Sequence, residues 1–267
     1  MSLQKSPGAD LKTEKMPGHW LLARLGKRVL RPGGVELTRR MIHELEIRTA
    51  DHVVEFAPGL GATAKLTVEQ HPASYTGVER DDTAARIVRK VLSGETQRCV
   101  VGQAEETGLP DESATVVYGE AMLTMQPAST KTRIVREAFR LLKPGGRYGI
   151  HELSLVPDNL DESIKEEIGA ELSQIIHHGV RPLTESEWSA VLTAEGFEVE
   201  THTRAPMHLL EPRRIISDEG LFGALRFMFN VATHRDARHR VQAMRSVFRR
   251  YHQHLAAILL VSRKPNA

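Results

Sequence analysis

The sequence predicts an α/β fold built around a mainly parallel sheet. Two observations carry this expectation. Between residues 50 and 155, short apolar runs alternate with amphipathic segments of about a dozen residues, the pattern of successive βαβ units. Breaks rich in Gly and Pro fall between segments, as at "RPGG" (Arg31 to Gly34) and "KPGG" (Lys143 to Gly146).

The elements follow in order. Residues 1 to 16 are polar and read as a disordered lead-in, and 17 to 48 as an N-terminal helical cover. In that cover, "HWLLARLGKRVL" (His19 to Leu30) sets Trp20, Leu21, Leu25 and Val29 on one stripe, and "VELTRRMIHELEI" reads as a second helix. "HVVEFA" is a strand, "TAKLTVEQH" a helix, "SYTGVE" a strand and "DTAARIVRKVLS" a helix. "QRCVVGQA" and "ATVVYGEA" are strands, "STKTRIVREAFRLL" is a helix stopped by "KPGG", and "RYGIHELSL" is the fifth strand. Two helices, "NLDESIKEEIGAELSQIIHH" and "ESEWSAVLTAEG", precede the strand "FEVETHT". A helical insert from about Glu211 to Arg250 then leads to "HLAAILLVSRK", a strand expected beside "FEVETHT".

Composition narrows the function classes. The chain has 267 residues with 36 Lys+Arg against 34 Asp+Glu, a net charge of +2. The sequence pI near 8.7 comes with dispersed charge, so no nucleic-acid footprint stands out. The single Cys99 excludes a disulfide framework and a thiolate metal cluster. No apolar run approaches the roughly 20 residues of a membrane span, and the N-terminus lacks the apolar core of a secretory signal. A cytoplasmic protein is the expectation.

The stretch "VVEFAPGLG" joins a strand to a glycine-bearing loop and a helix start, a cradle for a nucleotide-like cofactor. Glu79 closes the next strand in "YTGVERDD", where a carboxylate can accept both hydroxyls of a ribose. Glu55 separates the possible cofactors. A dinucleotide pyrophosphate would be repelled by a carboxylate there, whereas S-adenosylmethionine carries an ammonium and a sulfonium but no phosphate. The expected cofactor is therefore S-adenosylmethionine, with S-adenosylhomocysteine as product. A nicotinamide-dependent oxidoreductase is disfavoured by Glu55 and by the lack of a Tyr-x-x-x-Lys pair near the strand ends.

In these motifs the chain resembles class I S-adenosylmethionine-dependent methyltransferases of the small-molecule type. "VVEFAPGLG" is similar to their first motif and "GVERDD" to their second, with Glu79 in the ribose position. "VVGQAEETGLPDESATVVYGEAML", "EAFRLLKPGGRYGIHEL" and "AEGFEVE" resemble the segments that follow, so the likeness spans about Val53 to Arg263. It implies a Rossmann-like seven-stranded sheet, mostly parallel with the last strand antiparallel, and helices on both faces. It also implies one methyltransferase domain over 49–267, with helical inserts near 157–192 and 211–250. The cofactor residues it implies are Glu55, Ala57, Pro58, Gly59, Gly61, Glu79, Arg80, Gln103, Ala104 and Glu120. Three positions depart from the family pattern: Ala57 replaces its first glycine, Gln103 the acid beside the adenine, and Thr115 the acid opening strand four.

His151, in "IHEL" at the end of strand five, is the candidate catalytic base. Glu152 beside it points to the opposite face. His177 and His178 are adjacent on a helix and diverge by about 100°, a poor metal-ligand spacing. Glu120, Asp158 and Asn159 only loosely match a catechol-type magnesium site, so no metal is expected. Leu221, Phe222, Leu225, Met228 and Phe229 read as an apolar pocket wall or as a stripe packed on the sheet. The expected function is methyl transfer to a small, partly apolar molecule, with a cofactor-binding homologue without turnover as the alternative. Oligomeric state is not legible.

Overall fold

The computed structural model describes residues 7, 12–13, 15–28 and 31–266. Seven strands form one path: β1 (His52–Phe56), β2 (Ser74–Glu79), β3 (Gln97–Val101), β4 (Ala114–Glu120), β5 (Leu142–Leu155), β7 (Glu198–Pro206) and β8 (Leu255–Arg263). Their order is β3-β2-β1-β4-β5-β8-β7. A two-residue strand, β6 (Leu183–Thr184), pairs with β5 off this path. Strands β3 to β5 are mutually parallel, and β8 runs antiparallel to both neighbours. The expected seven-stranded sheet with its last strand antiparallel is thus observed, with β6 as a small addition. β8 lies between β5 and β7, and eight of its nine residues are buried, as its unbroken apolar run requires. β7, at the edge, alternates exposed and half-buried residues.

Helices α2 (Gly34–Glu44), α3 (Ala62–Val68) and α4 (Asp82–Arg89) cover one face. They bury Leu37, Met41, Ala64 and Val88 against Val53 and Tyr118. α5 (Ala128–Leu141) and α7 (Glu185–Ala194) cover the other, with Ile134, Val135, Trp188 and Leu192 packed on Val54, Phe56 and Ile150. Local signals start these helices where the sequence suggests. Asp81 accepts from Ala84 N at 2.8 Å, and Thr184 with Glu187 forms a reciprocal capping box.

A third core lies at one end of the sheet. α1 (Gly18–Arg24), α6 (Glu162–Ile176), α8 (Pro212–Thr233) and α9 (Arg235–Arg250) pack there around Leu21, Leu172, Phe227 and Met244. Two expectations for the N-terminus change. The first helix does not run to Leu30: it ends at Arg24, because Gly26 takes φ +103°, and Val29 and Leu30 lie outside the described residues. The described part of the lead-in is also anchored rather than free. Met16 is fully buried, and Arg240 donates to Thr13 O and Met16 O, each at 2.6 Å. Among the described residues, no helix is long and apolar enough to cross a membrane.

Candidate functional site

The strand order reverses between β1 and β4, and a cleft of about 730 Å³ opens at the carboxyl ends of the strands there. β1 hands over to a loop in which Ala57 N donates to Val78 O at 2.9 Å, after which the chain turns with φ +52° at Ala57 and +57° at Gly59. Ala57, Pro58 and Gly59 all line the cleft. A Cβ placed on Gly59 would meet nothing nearer than Ala57 O at 3.9 Å, so this peptide borders open space. Gly61 differs. It begins α3 at φ +77°, and a Cβ there would come within 3.0 Å of Val91 Cγ2. It faces α4, not the cleft, so its assignment as a cofactor contact is corrected: helix packing demands this glycine.

Glu79 closes β2 inside the cleft wall. Its Oε2 accepts from Gly59 N and its Oε1 from Asp81 N, both at 3.0 Å, and each oxygen keeps one lone pair. Burial pushes its pKa upward, while these two backbone bonds pull the other way. Arg80, exposed at the rim, and Gln103 with Ala104 after β3 complete this half of the cleft.

Glu55 does not reach it. Strand alternation turns its side chain to the face shared with Val53, under α3. There its Oε2 accepts from Tyr75 OH at 2.5 Å and Tyr118 OH at 2.8 Å, and Tyr118 OH also bonds Thr67 Oγ1 at 2.6 Å. Burial raises the carboxyl from 4.5 to about 7 against the pull of the two phenols. The expected pairing of Glu55 with a cofactor cation is therefore replaced by an internal Glu–Tyr–Tyr cluster.

Glu120, at the end of β4, does line the cleft, but its carboxylate is engaged inside the protein. Oε1 accepts from Thr38 Oγ1 at 2.6 Å and His151 Nδ1 at 2.7 Å. Oε2 accepts from Thr63 Oγ1 and pairs with Arg31 Nη1 at 3.1 Å. Burial acts to raise its pKa, yet Arg31 and the hydrogen bonds from His151 and Thr38 bring it down to about 2. Three hydrogen bonds and the Arg31 ion pair thus occupy Glu120 inside the protein, where it serves to hold Arg31. The same bonding corrects the expectation that His151 is the catalytic base. The histidine is fully buried, with Nε2 2.5 Å from Pro32 O and Nδ1 on Glu120. Both ring nitrogens are engaged inside the protein, so neither is presented to a substrate in the cleft. Glu152, on the opposite face, accepts from Met122, Leu123 and Thr124 N at 2.8–3.0 Å and from Thr124 Oγ1 at 2.7 Å, fixing the loop that floors the cleft.

Residues that the sequence did not assign to this site fill the other half of the cleft: His19 and Trp20 from α1, Arg31, Met122, Met125, and His178 just after α6. The His19 and His178 rings sit 6.1 Å apart, edge to face. Burial, with the nearby charge of Arg80, lowers both imidazoles, His19 to about 4, so both are neutral at pH 7. The α8 stripe, expected as a pocket wall or sheet contact, is neither: Phe222 is 87% and Phe229 67% exposed. Thr115 sits at the far end of the sheet, donating to Asp51 Oδ1 at 2.6 Å.

A family model for the methyltransferase domain matches residues 54–150. An uncharacterized protein of Haemophilus influenzae is 35% identical over 217 residues, which are 80% of this chain and 84% of that protein. The likeness to class I S-adenosylmethionine-dependent methyltransferases expected from the motifs is borne out over residues 54–150 and in the fold. Two proteins that are named methyltransferases are also similar. The sterol 24-C-methyltransferase of Neurospora crassa is 28% identical over 165 residues, 60% of this chain and 42% of the enzyme. The phosphoethanolamine N-methyltransferase 2 of Haemonchus contortus, solved with S-adenosyl-L-methionine, superposes with a TM-score of 0.72 at 14% identity. It covers 99% of this chain and 60% of its own, a likeness of fold. Within the methyltransferase fold, the cleft at the β1–β4 switch point is where a ligand is expected.

Proposed function

We propose that this cleft binds S-adenosylmethionine and that the chain transfers its methyl group to a small, partly apolar molecule. One observation carries the reading: Glu79 is locked by Gly59 N and Asp81 N with acceptor capacity to spare, directly beside a glycine whose missing Cβ leaves open space. A ribose diol fits that carboxylate, and the left-handed backbone at Ala57 and Gly59 lets a ligand approach the main chain closely. Gln103 and Ala104, with Val78 and Val101 alongside, would receive the adenine, Gln103 through its side-chain oxygen.

When bound, S-adenosylmethionine supplies a methyl activated by the sulfonium. The chain's part is to hold the partners aligned in the cleft, and alignment alone is worth roughly 7–11 kcal/mol of barrier. Trp20, Met122 and Met125 give the acceptor half an apolar wall. Neutral His19 and His178 are the groups there able to accept a proton from an acceptor hydroxyl or amine. The N-terminal cover at 17–48 and the insert near 157–192 select the acceptor in this reading. A cofactor-binding protein without turnover is the second reading, favoured by the internal bonding of Glu120 and His151.

Calorimetric titration with S-adenosylmethionine, S-adenosylhomocysteine and NAD tests the cofactor. A Kd on the order of micromolar for the first two, no binding of NAD, and a loss of roughly tenfold or more in Glu79→Ala are expected. Unchanged affinity in that variant removes the ribose assignment. Label transfer from methyl-labelled cofactor to a small-molecule extract separates enzyme from binding protein.

A further inference from the structure

We propose that Arg31 is a carboxylate-binding residue of the cleft, its free guanidinium edge receiving one ligand carboxylate side-on. Arg31 is 92% buried by its 8% exposure and lines the cleft, yet its Nε and Nη2 have no hydrogen-bond partner. Buried donors are nearly always paired, and an unpaired charged donor is the costliest case. The other buried side-chain atoms without a partner among the described residues, on Tyr148, Ser189 and Arg240, belong to residues that do not line the cleft.

The chemistry of the vacant donors narrows the ligand. Nε and Nη2 carry parallel N–H bonds on one edge of the planar guanidinium, a fork that matches the two oxygens of a carboxylate. The remaining nitrogen, Nη1, is anchored 3.1 Å from Glu120 Oε2. Glu120 is itself held by Thr38, Thr63 and His151, which come from α2, α3 and β5. Three elements thus position a single guanidinium edge, the supporting shell a specific anion site needs. Glu120 meets Nη1 and leaves Nε and Nη2 unpartnered, so it does not compete for that edge.

The carboxylate has two possible sources: the amino-acid end of the cofactor, which rests on the S-adenosylmethionine reading above, or an acid group on the methyl acceptor. The experiment separates them. Titrations of S-adenosylhomocysteine, its uncharged carboxamide and 5′-methylthioadenosine are run on the wild type and on Arg31→Lys, which keeps a charge beside Glu120 but loses the fork. Melting curves establish that the variant folds, and the carboxamide comparison, made on the wild type alone, stands if it does not.

If the cofactor supplies the carboxylate, the wild type binds S-adenosylhomocysteine roughly 10- to 100-fold tighter than the carboxamide. Arg31→Lys then erases that difference and leaves methylthioadenosine unchanged. If the acceptor supplies it, S-adenosylhomocysteine binds both proteins equally. Acetate or benzoate then saturably raises the melting temperature of the S-adenosylhomocysteine-loaded wild type and not of the variant. The proposal is overturned if Arg31→Lys alters neither response and the carboxamide binds the wild type as tightly as the acid. A wild type that binds neither nucleoside sinks the cofactor reading instead, and acetate and benzoate titrations of the free protein then decide Arg31 by themselves.

Discussion

Gly59 and Gly61 both hold left-handed backbone, at φ +57° and +77°, but they answer to different neighbours. A methyl group on Gly59 meets open cleft, so Gly59→Ala carries only the backbone penalty, about 1–2 kcal/mol, while obstructing the ligand. A methyl on Gly61 adds a 3.0 Å approach to Val91 on the α4 side, so Gly61→Ala loses more stability than Gly59→Ala and less of its cofactor affinity. Denaturant unfolding and calorimetry on the pair check this crossing of effects, and parallel losses would refute it. Glu55 makes a second prediction. Its folded pKa of about 7 lies above the ordinary 4.5, so the folded state holds the proton more tightly. The resulting stability is fully present below about pH 4.5 and is lost as pH rises through 7, an effect of order 3 kcal/mol at about 1.4 kcal/mol per unit. In Glu55→Gln the site stays neutral, and unfolding free energy is expected to fall less between pH 5 and 8 than in the wild type. Equal slopes would show that Glu55 titrates normally.

At the scale of elements, α8 is two helices joined at Gly220, where φ +72° and ψ 170° break the helical path. The first limb is tied to the N-terminal cover. Asp218 accepts from Lys27 Nζ at 2.9 Å and from Val35 N at 3.1 Å, with both charged side chains fully buried. Asp218→Ala removes the nearer of two buried carboxylates facing Lys27, the other being Glu219 at 3.9 Å, and is expected to lose on the order of 2 kcal/mol by denaturant titration. Because Lys27 and Val35 flank Arg31, the same variant should weaken cleft binding, whereas a loss under 1 kcal/mol would show that Glu219 alone suffices to hold Lys27. These links explain what the sequence conceals. Helical periodicity marks the Leu221–Phe229 stripe but not the direction it faces, and nothing local ties Lys27 to a carboxylate 191 positions away. Glu55 was legible in principle, since it alternates with Val54 and Phe56, both of which point to the opposite face. Arg31 was not: within "RPGG" it reads as part of a helix break, and only the folded sheet brings it to Glu120.

Across the whole molecule, the strand-and-helix order from Val53 onward was readable because each βαβ unit is local, with its own periodicity and its own turn. The cover helices were readable as helices only. Their joint core gathers Met16, Leu22, Leu172 and Phe248, residues from both ends of the chain, and so depends on contacts that no sequence window contains. The same global dependence governs how the chain is made. β8 pairs residue by residue with β5, from Leu155 with Leu255 to Arg147 with Arg263. As the polypeptide emerges from the ribosome, β5 therefore waits with one side bare while the segment up to Leu255 is synthesised, a delay of roughly 5–20 s at ordinary elongation rates. During that interval the nascent chain presents Ile150 and Leu153 beside an unpaired backbone, a surface suited to a chaperone until the last strand slides between its two neighbours.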